Sequence, residues 1–118
     1  MKTQVKYYGE EIEVDLKTLE INIINATSQR VVFLDKINRW YVYWKGKTKG
    51  FFVPRSRLVC LAAHPCKDYK KMQVDHIDSN PSNDRPSNLR WTTRKFNNSR
   101  KHAQRLRRQN ARSTSRKD

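Results

Sequence analysis

Four residues have the types that metal-assisted hydrolysis uses: Asp75 and His76 side by side, then Asn88, then Asn97. A hard divalent cation such as Mg²⁺ takes oxygen ligands, and the Asp75 carboxylate and the Asn97 side-chain oxygen are ligands of that kind. Histidine titrates near neutral pH, so His76 suits a general base acting on water. Cleaving a phosphodiester requires positive charge at the phosphate and leaving oxygen, a base for the water, and fixed geometry between them. Each residue alone has an ordinary explanation: Asn88 as a turn or cap residue, Asn97 as an exposed helical polar, Asp-His as a chance pair. The information lies in their order and spacing.

The stretch Val74 to Asn98, VDHIDSNPSNDRPSNLRWTTRKFNN, supplies the elements that position them. Asp75 and His76 fall in a short strand, followed by a loop dense in turn residues from Asp78 to Ser87. Asn88 to Trp91 reads as a second strand, leading into a helix that begins near Thr92 or Thr93 and carries Asn97. Neighbours in a strand point to opposite faces, so Asp75 and His76 share a site only at a strand end or bend. Leu89 and Trp91 read as core. Asp78, Asn80, Asn83 and Asp84 read as turn chemistry, with Asp78 near enough to act as an outer partner.

This arrangement closely resembles the HNH nuclease motif, in the version of phage and group I intron homing endonucleases where the last His is Asn. The resemblance is strong over Leu58 to Asn98, weak over the preceding strands and absent over residues 1–28. It implies a ββα-metal unit with Asp75 and Asn97 on one divalent ion, Mg²⁺ or alternatively Mn²⁺. It further implies His76 as the base and Asn88 as a brace that keeps His76 oriented. Relatives often carry Gly where this chain has Ser79, and a positive φ there would be mildly strained. The function implied is a homing-type DNA endonuclease that leaves 5′-phosphate and 3′-hydroxyl ends. A phage or mobile-element origin, acting in the cytoplasm of a bacterial host, goes with it.

Upstream, Val5 and Tyr7, Ile12 and Val14, and Leu19 to Ile23 fit short strands, with a break at Gly9. Arg30 to Asp35, Arg39 to Lys45 and Gly50 to Val53 read as an antiparallel meander, with Trp40, Val42 and Trp44 on one face and Tyr41 and Tyr43 on the other. That sheet is either ordinary scaffold or a surface lying on DNA through Lys45, Lys47 and Lys49. Pro54 suits a helix start, Leu58, Leu61 and Ala62 recur at helical spacing, and Pro65 ends the run. Arg55 and Arg57 are expected at the solvent end of that helix, within reach of a DNA backbone.

The chain has 118 residues and a net charge of +15, with 36% hydrophobic and 31% charged residues, which bounds it to one domain or a small domain with appendages. Residues 85–118 hold twelve Lys or Arg against one acidic residue, Asp118. Such a cationic segment is a footprint for phosphates. Arg90, Arg94, Arg100, Lys101 and Arg105 are its candidate DNA contacts, and the last three belong to a basic tail that is either an arm along DNA or a solvated terminus. The two cysteines form no Cys-x-x-Cys unit, and the start of the chain lacks an apolar leader, so a soluble, intracellular, reduced protein is expected. A zinc site on Cys60, His64, Cys66 and His76 is the rival metal reading, and no structural zinc is expected.

Together these readings predict an α+β fold: one small N-terminal antiparallel sheet within a β region over 1–53, then a helix and the ββα-metal unit in a nuclease core over 54–99, and a basic C-terminal helix or tail over 100–118. The partner is double-stranded DNA, with no membrane, and a homodimer is required only for a double-strand break. The competing function is a non-catalytic DNA-binding protein using the ββα unit and tail. RNA binding stands third, on charge and aromatics alone.

Overall fold

In the computed structural model, which describes residues 2–96, three small antiparallel sheets surround one short helix. The first sheet joins β1 (Lys2–Tyr7), β2 (Glu10–Asp15) and β3 (Ile21–Ile23). Its first hairpin turns at Tyr8 and Gly9, both at positive φ, a two-residue geometry that glycine makes accessible. The second sheet is the expected meander of β4 (Gln29–Leu34), β5 (Arg39–Lys45) and β6 (Gly50–Pro54). The third is a two-stranded hairpin of β7 (Gln73–His76) and β8 (Leu89–Thr92).

The expectation of one N-terminal sheet is therefore corrected to two. The ladder stops at β3 because the Ile23 N–H is taken at 2.7 Å by the Gln29 side chain instead of a β4 carbonyl. The Gln29 amide also donates to Asn22 at 2.9 Å. A side chain thus caps the sheet edge and turns the chain into β4.

The helix α1 (Arg55–Ala63) sits between these sheets. Ser56, Leu58, Val59, Cys60, Leu61 and Ala62 are all buried, and a helix apolar on nearly every side must be enclosed. It packs on both N-terminal sheets and on both strands of the hairpin. Its core partners are Tyr7, Ile12, Val14, Ile23, Val42, Trp44, Val53 and Leu89. Trp44 stacks on Phe51 with ring centroids 4.7 Å apart and donates its indole N–H to Glu10 at 3.3 Å. The other face of β5 stays outside, where Tyr41 stacks on exposed Phe52 at 4.6 Å.

The third element of the ββα unit starts at Arg94, and the Thr93 hydroxyl accepts the Phe96 N–H at 3.2 Å, an N-cap on the third helical residue. No helix among the described residues is long and apolar enough to cross a membrane. Leu58 is fully buried in α1. Leu58→Ala should destabilise the chain by roughly 2–5 kcal/mol, read as a lowered midpoint in denaturant unfolding. An unchanged midpoint would mean that the helix is not enclosed as described.

Candidate active site

The hairpin register pairs Asp75 with Arg90 and His76 with Leu89. Side chains directly opposite in an antiparallel ladder share a face, so Asp75 and His76 project to opposite sides. His76 is the last residue of β7, the strand end that proximity of the two requires. Both are buried. Asp75 Oδ2 accepts from Arg90 Nε at 2.9 Å. His76 Nε2 lies 2.8 Å from Asp84 Oδ1, and the other Asp84 oxygen takes Arg55 Nε at 3.0 Å.

The loop between the strands is folded on two side chains. Asn88 Oδ1 accepts the Asp78 N–H at 3.0 Å, while its amide donates to Asp78 Oδ1 and to the Asn83 carbonyl, both at 2.9 Å. Asp78 in turn accepts from the Asn80 N–H and from the Asn83 amide, each at 2.8 Å. The Ile77 N–H donates to the Asn88 carbonyl at 2.8 Å, joining this network directly to His76. Ser79 holds φ +65, the left-handed geometry anticipated for that position. These bonds keep the Asp78 carboxyl below the ordinary Asp range, the Asn83 amide first and the Asn80 N–H next.

Asp84 departs from the turn role expected of it. It is only 2% exposed and is the acceptor between His76 and Arg55. Local sequence hides this, because its partners lie 8 and 29 residues away and it sits among turn formers such as Ser82, Asn83 and Pro86. Arg55 and Arg57 also differ from the solvent-end placement expected. Arg55 lies on Asp84 and over the Trp40 ring at 4.7 Å. Arg57 donates to the Met72 and Tyr69 carbonyls, both at 2.8 Å, and to the Tyr7 hydroxyl at 3.3 Å.

With this geometry in view, the sequence model of the HNH endonucleases matches residues 53–99. That segment, which holds the hairpin and its loop, is similar to the HNH endonucleases. A DNA endonuclease of Bacillus phage SP01, I-HmuI, is 39% identical over 64 residues, which cover 53% of this chain and 34% of that protein. The chain thus spans about a third of the length of the curated relative it matches. No solved structure gives a significant match.

Within the HNH segment, His76, Asn88 and Asp75 are placed as above, whereas Asn97 lies outside the described residues. Arg100, Lys101 and Arg105 lie outside them too. Lys45, Lys47, Lys49 and Arg94 are exposed, and Arg90 is 47% exposed at its side chain while bonded to Asp75. Among the described residues no three His, Cys, Asp or Glu side chains converge on a point that would hold a metal ion. Of the four residues of the zinc reading, His64 is bonded through Nε2 to the Pro86 carbonyl at 2.9 Å and His76 to Asp84. Burial in α1 pushes the Cys60 thiol up to about 12.

Asp78 offers a pH test of the loop. Its folded value is depressed, so its contribution is complete above the ordinary Asp value and is lost as pH falls through the folded one. Protection of the loop amides from hydrogen exchange, corrected for intrinsic rates, should fall below about pH 4. The same amides in Asn88→Ala should be poorly protected at any pH. Unchanged protection in acid would remove Asp78 as the loop's organiser.

Proposed function

We propose that the chain is a metal-dependent DNA endonuclease of the homing type, acting on double-stranded DNA. The observation that carries this reading is the His76 ring, held at the end of β7 beside Asp75 within the HNH segment. His76 takes the proton of the attacking water. Asn88, bonded to Asp78 and Asn83 across the loop, keeps the backbone after His76 in place.

Asp75 and Asn97 hold one divalent ion, Mg²⁺ or Mn²⁺. The fit rests on donor chemistry: Asp75 presents a carboxylate and Asn97 an amide oxygen, both hard ligands, with phosphate oxygens and water to complete the shell. When bound, the ion supplies positive charge to the scissile phosphate and its leaving oxygen. With one such site per chain, a monomer cuts one strand, and a dimer is needed to cut both.

DNA affinity comes from basic residues spread along the chain. Lys45, Lys47 and Lys49 flank the β5–β6 turn, beside the outer face bearing Tyr41, Tyr43 and Phe52. Arg90 and Arg94 border the hairpin and the start of the following helix, and Arg100, Lys101 and Arg105 continue the charge.

Supercoiled plasmid with Mg²⁺ or Mn²⁺ should be nicked before it is linearised, and EDTA should stop the reaction. His76→Ala should lose roughly 10²–10⁴-fold in rate while still shifting DNA in a gel. Binding without cleavage by the wild type, across several DNAs and metals, would replace this reading with a non-catalytic DNA-binding protein.

A triple charge reversal at Lys45, Lys47 and Lys49 should weaken DNA binding and flatten the dependence of log affinity on log salt, by roughly 0.9 for each phosphate the protein no longer neutralises. An unchanged slope would leave the second sheet as scaffold only.

A further inference from the structure

The proton of a neutral imidazole sits on one ring nitrogen, and a base needs the other one bare. Around His76 the choice is made by Asp84. One Asp84 oxygen takes Arg55 Nε at 3.0 Å and the other lies 2.8 Å from His76 Nε2. A carboxylate paired with a guanidinium accepts hydrogen bonds and has none to give, so Nε2 must be the donor. Among the described residues, Nδ1 of His76 has no hydrogen-bond partner.

We propose that Asp84 is a positioning residue for His76, fixing the ring with Nε2 protonated and Nδ1 as the nitrogen that accepts the proton of water. The Asp84 carboxylate moves no proton itself. It orients the ring, and Arg55, wedged between Asp84 and the Trp40 ring at 4.7 Å, orients the carboxylate. The catalytic strand end is thereby tied to β5 of the second sheet through Trp40, Arg55 and Asp84. The proposal rests on the nuclease reading only for what His76 does with its bare nitrogen.

Two measurements on the full chain test it. The first is nitrogen-15 NMR of the His76 ring, at a pH where the neutral form dominates, and it needs neither DNA nor cleavage. The wild type should show Nε2 protonated, and Asp84→Ala should show a mixture of tautomers. A wild-type ring protonated on Nδ1, or a tautomer indifferent to the substitution, overturns the proposal. A wild-type ring protonated on Nδ1 overturns the proposal by itself, and if Asp84→Ala does not fold, Asp84→Asn takes its place in the comparison.

The second is a double-mutant cycle on metal-dependent plasmid cleavage. Asp84→Ala should lower kcat at least about tenfold with KM little changed, and no further than His76→Ala does. Asp84→Glu should recover part of the loss. Adding Asp84→Ala to His76→Ala should cost nothing more. Losses that multiply, or a loss confined to KM, would show that Asp84 acts elsewhere than through His76. If the wild type does not cleave at all while its ring is protonated on Nε2 and responds to Asp84→Ala, the nuclease reading fails and the positioning stands.

Discussion

A carboxylate with 2% exposure persists only if both oxygens find donors, and Asp84 is that residue. Arg55 and His76 supply them from two separate elements, the first turn of α1 and the end of β7. One side chain therefore fixes the distance between helix and hairpin at the point where the proposed chemistry would sit. Removing either partner would leave a buried charge uncompensated, at a cost of roughly 3–5 kcal/mol. That is a large share of the stability of a domain this small. The position of the His76 ring is thus enforced by the fold as a whole.

Helix α1 transmits that enforcement. Nine residues make a helix too short to persist alone, and this one has neither a side-chain cap nor an acidic residue in its first turn. Enclosure by the sheets and the hairpin is what stabilises it. Its ends are then clamped. At the start, Arg57 holds the Tyr69 and Met72 carbonyls just before β7. At the end, the Trp91 indole donates to the His64 carbonyl at 2.7 Å, and His64 Nε2 bonds the Pro86 carbonyl ahead of β8. Both strands of the hairpin are hung from the same helix, one from each end.

Much of this was legible in the sequence because it is local. The alternation of Trp40, Val42 and Trp44, the apolar run from Leu58 to Ala62 and the turn-rich loop each announce themselves within a few residues, and each is found where expected. The split into two sheets was not legible, because it depends on one side chain, Gln29, occupying the Ile23 N–H. The placements of Arg55, Arg57 and Asp84 are hidden for a related reason. Charged residues are assigned to the surface by default, and only long-range partners reverse that. The sequence holds a cue in hindsight: both arginines directly precede the most apolar segment of the chain, where a helix start is drawn inward.

The two neighbours at the end of β7 now differ in kind. His76 is 7% exposed and held by a carboxylate that is itself held, so its ring has one orientation. Asp75 is bonded instead to Arg90, whose side chain is 47% exposed and competes with solvent for its contacts. In the function proposed above His76 is the base, and a base must be preorganised, because its orientation is needed before the reaction begins. Asp75 is there the carboxylate that receives an ion, and the Arg90 side chain beside it is nearly half in solvent. Alternation along a strand puts these two environments on opposite faces of adjacent residues, although both side chains are buried.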